Sequence, residues 1–119
     1  MDTYIGACHC GGVRFSVRCE LSHSAKCDCS ICKRRGSIMV RCEVEDLEVL
    51  KGQNLLTKYQ FGTMIAVHHF CKVCGIYVFH RMRKDPSKYA VNAGCLEKVD
   101  LSKLDPVLIE GSKVIGRLR

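Results

Sequence analysis

The sequence has few of the features that mark membrane-spanning, secreted or disordered chains. Only 2 of its 119 residues are proline, and no low-complexity tract or repeat interrupts the apolar residues. The longest apolar runs, 64–67 and 76–79, are far shorter than the roughly 18–20 residues of a membrane helix. The start of the chain shows no basic segment followed by a hydrophobic one, as a secretory signal would require. We therefore expect one soluble, cytoplasmic domain over residues 1–119.

Cysteine is the residue in excess, with 10 in the chain. In a reducing compartment, clustered thiols bind metal more often than they form disulfides. Seven of the cysteines fall into three clusters: Cys8 and Cys10; Cys27, Cys29 and Cys32; Cys71 and Cys74. The other three, Cys19, Cys42 and Cys95, have no neighbouring thiol, and we interpret them as small buried side chains. For Cys95, which follows Gly94 at a predicted strand end, a place near the second metal site is the alternative.

The first and third clusters together supply the ligands of a closed zinc site. Cys71 and Cys74 form a C-x-x-C pair, a spacing that lets both sulfurs reach one tetrahedral ion at about 2.3 Å. Gly75 suits the left-handed or tightly turned position that follows such a pair. Because zinc takes four ligands, Cys8 and Cys10 are the natural second pair. We predict a structural zinc that holds the N-terminal strand against the middle of the chain.

The middle cluster brings three thiolates within six residues, which is typical of a different kind of site. Zinc held by Cys27, Cys29 and Cys32 would keep a fourth position for water or substrate, as catalytic zinc does. Three thiolates leave the complex with a net charge of about −1, which disfavours water activation and favours a soft sulfur ligand. The cluster therefore predicts chemistry on a thiol substrate. The alternative is a second closed site, completed by a histidine or another cysteine.

Short strand-like segments with turn residues between them run along the whole chain. We predict strands at residues 4–7, 13–18, 37–42, 47–50, 55–61, 66–70, 76–81, 89–93 and 107–109. The only helix predicted is a short one at Ser30–Arg35, with Ser30 as its N-cap. The fold class is therefore mainly β, built from short antiparallel strands.

Two groups of polar residues near the clusters are further candidates. Lys33, Arg34 and Arg35 directly follow the last ligand and could attract an anionic substrate, although a solvated turn is the interpretation we favour for them. His68 and His69 are adjacent in a predicted strand, so their side chains point to opposite faces and at most one faces the site. A half-buried structural histidine is the alternative to a ligand or an acid–base group.

Four segments of the sequence resemble one family over nearly the whole chain. They are GACHCGGVRF (6–15), CDCSIC (27–32), FCKVCG (70–75) and YAVNAGCL (89–96). With seven cysteines in matching order, they resemble the glutathione-dependent formaldehyde-activating enzyme (GFA) family. Residues 30–32 and 69–76 are similar to the branch of that family that includes centromere protein V.

The resemblance implies a fold, two metal sites and a reaction. It implies a β-tent fold organised around a structural zinc, and a second, more labile catalytic zinc. The structural ligands would be Cys8, Cys10, Cys71 and Cys74, and the catalytic ligands Cys27, Cys29 and Cys32. The implied activity is that of a carbon–sulfur lyase, forming S-hydroxymethylglutathione from glutathione and formaldehyde. The partner is then a small thiol or thiol–aldehyde substrate, with glutathione as the candidate.

Two other function classes compete with the enzyme. A non-catalytic zinc module could bind an acidic partner such as chromatin, nucleic acid or tubulin, and the net charge of +7 supports it. However, thiolate ligation of two zinc ions would lower that charge to roughly +4. The basic residues are also dispersed, and no strand interleaves them with aromatic residues as a base-stacking surface would. A thiol redox function would need a reactive cysteine outside the metal clusters. We therefore favour the lyase.

Overall fold

The computed structural model describes residues 1–113 and places short strands in two sheets. The strands are β1 (Asp2–Ala7), β2 (Arg14–Cys19), β3 (Ser24–Cys27), β4 (Met39–Glu43), β5 (Leu47–Lys51), β6 (Leu56–Tyr59), β7 (Val67–Cys71), β8 (Tyr77–Arg81), β9 (Lys88–Asn92) and β10 (Val107–Ile109). A single turn-and-a-half helix, α1 (Ser30–Arg35), lies between β3 and β4. The prediction of a mainly β fold is confirmed. Within residues 1–113, no helix is long and apolar enough to span a membrane.

The smaller sheet has the strand order β1-β2-β5 and is antiparallel throughout. Its central strand, β2, alternates apolar and polar residues, and the structure buries Phe15 and Val17 while their neighbours reach the surface. This is the period of two that a strand with one wet face requires.

The larger sheet has the order β10-β3-β4-β9-β8-β7-β6. All its pairs are antiparallel except β10 with β3, which run parallel, so the predicted antiparallel arrangement fails only at this edge. Val40, Val78 and Val91 from this sheet are fully buried in one core cluster with Phe15 and Val17 of the smaller sheet. The two sheets therefore share one apolar core, which includes Cys8 and Cys71, whereas Cys29 and Cys32 pack in a second, smaller cluster.

Two local features differ from the prediction. Strand β3 was not expected, because its sequence, Ser-Ala-Lys-Cys, has little β propensity; pairing with β4 and β10 creates it. Helix α1 has the predicted bounds, but its N-cap position is occupied by Cys29 rather than Ser30, and no side chain caps it. A predicted metal ligand thus occupies the N-cap position, where a capping side chain was expected.

Candidate metal centres

The four cysteines of the first and third clusters meet in space, although about 60 residues separate the two pairs. Their sulfur atoms all lie within 4.8 Å of one another. The Sγ atom of Cys10 is 3.6 Å from that of Cys8 and 3.8 Å from that of Cys71. Four sulfurs bound to one tetrahedral zinc at about 2.3 Å would be about 3.8 Å apart. The spacing therefore fits a closed four-thiolate site.

Backbone geometry around this cluster also suits thiolates. The N–H groups of Val13 and Val73 donate to the Sγ atoms of Cys8 and Cys71, at 3.3 and 3.4 Å. Gly75 has the left-handed φ of 79° expected from the sequence, and its N–H donates to the Cys71 carbonyl at 2.7 Å. Backbone N–H groups of Cys10 and Ile76 lower the pKa of Cys74 to about 6. The turn from Cys71 to Cys74, which we call the knuckle, is thus arranged for anionic sulfur.

The middle cluster is built by the end of β3 and the start of α1. Cys27 ends the strand, Cys29 occupies the N-cap position of the helix and Cys32 lies in its first turn, and their sulfurs lie within 4.8 Å of one another. The N–H of Cys29 donates to the Cys27 sulfur at 3.4 Å. Hydrogen bonding from the Cys32 thiol, and then from backbone N–H groups, lowers the pKa of Cys29 to about 5 despite its burial. These three sulfurs could hold one metal ion.

No fourth cysteine, histidine or carboxylate joins this cluster within residues 1–113. Two other features surround it instead. On one side, Gly111 lies so close that a Cβ atom there would be 2.5 Å from the Cys27 sulfur. The segment that carries Gly111 is fastened to Asp28, whose N–H donates to the Ile109 carbonyl and whose carboxylate accepts from the Ser112 N–H. The C-terminal segment therefore covers Cys27 with bare backbone.

On the other side, Arg35 connects the cluster to a cavity of about 470 Å³. One Nη atom of Arg35 donates to the Cys32 sulfur at 3.4 Å, and the guanidinium stacks 3.6 Å from the centre of the Tyr77 ring. The cavity is lined by Ile31, Arg35, Ser37, Tyr59, His68, Phe70, Gly75, Ile76, Tyr77 and Asn92. It therefore has an apolar wall, one cation and a few hydrogen-bonding groups, as small-molecule sites usually do.

A buried network of His68, His80 and Tyr77 extends from Arg35 into the larger sheet. The second Nη atom lies 3.0 Å from Nδ1 of His68, and the rings of His68 and His80 are 4.8 Å apart. His80 Nδ1 is 2.6 Å from the Tyr77 hydroxyl, which also reaches the Ala90 carbonyl at 3.1 Å. Burial, followed by the charge of Arg35, lowers the pKa of His68 to about 4. Burial also lowers the pKa of His80, to about 3, so both His68 and His80 are neutral at pH 7.

The structure separates the candidates that the sequence left open. Of the basic triplet, Lys33 and Arg34 are exposed, whereas Arg35 turns inward to the cluster. Of the histidine pair, His68 lines the cavity and His69 stacks on Phe79 at 4.6 Å. Sequence reasoning missed Tyr77, His80 and Gly111. Of these three residues, only Tyr77 could have been identified from the sequence, because it lies just after the knuckle.

The three cysteines outside the clusters are buried, as expected. Burial is the main cause that raises the pKa of Cys19 to about 11 and the pKa values of Cys42 and Cys95 to about 12. Cys95 lies nearer the four-cysteine cluster than the three-cysteine one, since Cys8 and Cys74 add to its shift. Its thiol donates to the Tyr77 carbonyl at 3.6 Å. These buried, protonated thiols disfavour a redox function, which needs an accessible thiolate.

Fold and clusters together define a mainly β domain with two cysteine sites that could hold metal ions, the second beside a cavity. The family model described as glutathione-dependent formaldehyde-activating enzyme matches residues 3–109, and the chain belongs to this family. A crystal structure of a Rhodobacter sphaeroides protein, a structural genomics target, is similar at 43% sequence identity. The match covers 88% of this chain and 98% of that one, with a TM-score of 0.84.

Proposed function

We propose that the protein is a zinc-dependent carbon–sulfur lyase that forms or cleaves a thiol–aldehyde adduct of the S-hydroxymethylglutathione type. The observation that carries the proposal is the three-cysteine cluster, which has no fourth protein ligand within residues 1–113 and adjoins a cavity through Arg35. An open position on a thiolate-bound metal is where a substrate sulfur would bind. The family name adds glutathione and formaldehyde as the candidate substrates.

The two metal sites take different roles in this proposal. Zinc at Cys8, Cys10, Cys71 and Cys74 would be structural, since four thiolates leave no open position. Zinc at Cys27, Cys29 and Cys32 would be catalytic and more labile, since three protein ligands bind less tightly than four. When bound there, the zinc would hold the substrate sulfur as a thiolate at neutral pH.

The residues around the cavity account for the remaining needs of the reaction. A lone pair of the substrate sulfur forms the bond to the aldehyde carbon, and the carbonyl π pair moves to oxygen. That oxygen takes a proton from water, while the proton of the thiol is released to solvent, so the sum is thiol plus aldehyde giving adduct. Ile31, Phe70 and Ile76 form an apolar wall of the cavity, and Arg35 supplies positive charge for an anionic substrate.

Metal content and product formation test the proposal together. Elemental analysis should find two zinc ions per chain, and mild chelation should remove one while circular dichroism shows the fold retained. The loaded protein should then accelerate adduct formation from glutathione and ¹³C-formaldehyde, followed by NMR, and a Cys29→Ser variant should not. Two zinc ions that both resist chelation would mean that both sites are closed and would contradict the lyase.

The same samples separate the lyase from a zinc module that binds an acidic partner. Phosphate contacts weaken steeply with ionic strength, so binding to generic DNA that falls away with salt would favour the module. A place in the branch that includes centromere protein V remains a prediction from residues 30–32 and 69–76. Adduct formation without salt-dependent DNA binding is the result that we expect.

A further inference from the structure

The hydrogen bond between Arg35 and His68 determines which tautomer His68 adopts. Arg35 Nη1 lies 3.0 Å from His68 Nδ1, and a guanidinium carries only donors. Nδ1 must therefore accept, so it carries no proton. The side chain is 5% exposed, and a neutral imidazole without a proton on Nδ1 carries it on Nε2. His68 thus presents one N–H donor, at Nε2.

That donor belongs to a side chain that lines the cavity. Nε2 of His68 has no hydrogen-bond partner within the described chain, yet it is not sealed in the interior, as the unpartnered Nδ1 of His69 is. His68 lines the cavity, and its ring packs between Phe61, at 5.8 Å, and His80, at 4.8 Å. These contacts fix the plane of the ring, so the N–H has one direction in which to donate.

The same guanidinium sets the distance between this donor and the metal ligands. Arg35 donates through one Nη atom to His68 and through the other to the Cys32 sulfur, while its plane rests on the Tyr77 ring. Three contacts on one rigid, planar group leave it little freedom. The guanidinium therefore bridges His68 and the three-cysteine cluster, and both Arg35 and His68 line the cavity.

We propose that His68 is a further catalytic residue, whose Nε2–H donates a hydrogen bond to the aldehyde oxygen as the carbon–sulfur bond forms, and that Arg35 is the residue that positions it. The inference rests on the proposed function and adds the group that stabilises the developing alkoxide. Negative charge moves onto that oxygen when the sulfur lone pair forms the new bond. A donor held in place beforehand stabilises this charge more than water does, because water must first reorient. His68 keeps its proton throughout, and the oxygen is protonated by water.

The first test reads the tautomer and needs no activity. In zinc-loaded protein with ¹⁵N-labelled histidine, two-dimensional NMR distinguishes a protonated from an unprotonated ring nitrogen. We expect His68 to show a protonated Nε2 and an unprotonated Nδ1 at pH 7. Arg35→Lys should weaken this preference, because one ammonium group replaces the planar pair of donors. An imidazolium, or a proton on Nδ1 in the wild type, would overturn the inference.

The second test uses kinetics with matched variants. His68→Ala should lower kcat by about 10²- to 10³-fold with a much smaller change in KM, as the loss of an oxyanion donor does. His68→Gln should recover most of the rate, because its amide N–H reaches the position of Nε2. His69→Ala, which removes the neighbouring imidazole on the other face of β7, is the control and should retain kcat. Zinc content must match the wild type in each variant.

Two kinetic results would be decisive in different ways. An active wild type with an equally active His68→Ala variant would overturn the role of His68 and leave the proposed lyase standing. A wild type that forms no adduct from any thiol and aldehyde tested would overturn the lyase, and the role of His68 with it. Should His68→Ala fail to fold, His68→Gln and Arg35→Lys still carry the comparison.

Discussion

Substituting Gly111 by alanine tests whether the C-terminal segment shapes the three-cysteine site. An added Cβ atom would lie 2.5 Å from the Cys27 sulfur and 3.1 Å from the Cys29 Cβ atom. Non-bonded heavy atoms settle at about 3.5–4.0 Å, so the sulfur or the segment must move by about 1 Å. The φ angle of Gly111 lies outside the left-handed region, so steric overlap alone decides the effect.

The expected loss of zinc affinity follows from the free-energy cost of overpacking. Extra atoms in a packed site cost about 1–3 kcal/mol. Because the displaced Cys27 is one of the proposed zinc ligands, this cost should appear as a zinc affinity about 5- to 140-fold lower at the three-cysteine site, the proposed labile site, at 1.4 kcal/mol for each factor of ten. The four-cysteine site should be unaffected, because Gly111 does not contact it.

Competition with a chromogenic chelator measures both sites in one titration. Gly94→Ala is the matched control, because the nearest neighbours of its added Cβ would be side-chain atoms of Asn92, at 3.2–4.0 Å, and not a cysteine of either cluster. It should leave the labile site unchanged. If Gly111→Ala binds the labile zinc within twofold of the wild type, the segment does not restrain Cys27 and the reasoning is refuted.

Further predictions concern the other parts of the molecule. Cys29→Ser should lose one zinc and keep the circular dichroism spectrum of the wild type. Cys71→Ser should lose the fold, since structural zinc contributes on the order of 10 kcal/mol. Full zinc content in Cys29→Ser would contradict this assignment. Phe15→Ala should lower the free energy of unfolding by about 3–5 kcal/mol in urea, because the ring is fully buried; a loss below about 1 kcal/mol would contradict the shared core. His80 has a pKa lowered by burial to about 3, so the unfolded chain binds its proton near pH 6.5 and the folded chain does not. Stability is therefore lost as the pH falls below 6.5, and His80→Gln should lose less between pH 7 and 5, measured as urea midpoints; equal losses would refute the assignment.

Local patterns predicted the elements that depend on neighbouring residues. The alternation of apolar and polar residues in β2 predicts which side chains face the core. The bounds of α1 could be predicted because turn residues flank this short segment. Strand β3 could not be predicted this way, because its residues have weak β propensity and its hydrogen bonds come from β4 and β10. Likewise, the parallel pairing of β10 depends on strands some 80 residues apart.

The sequence by itself predicted the two cysteine sites that could hold metal ions. The close spacing within each cysteine cluster lets its sulfurs reach one ion, and the preference of zinc for four ligands led to the pairing of Cys8 and Cys10 with the distant Cys71 and Cys74. Only the tertiary structure decided what surrounds the three-cysteine cluster. The register of β7 turns His68 rather than His69 to the cavity, the end of α1 aims Arg35 inward, and β10 brings Gly111 over Cys27. Contacts of this kind depend on long-range strand pairing, which local sequence does not encode.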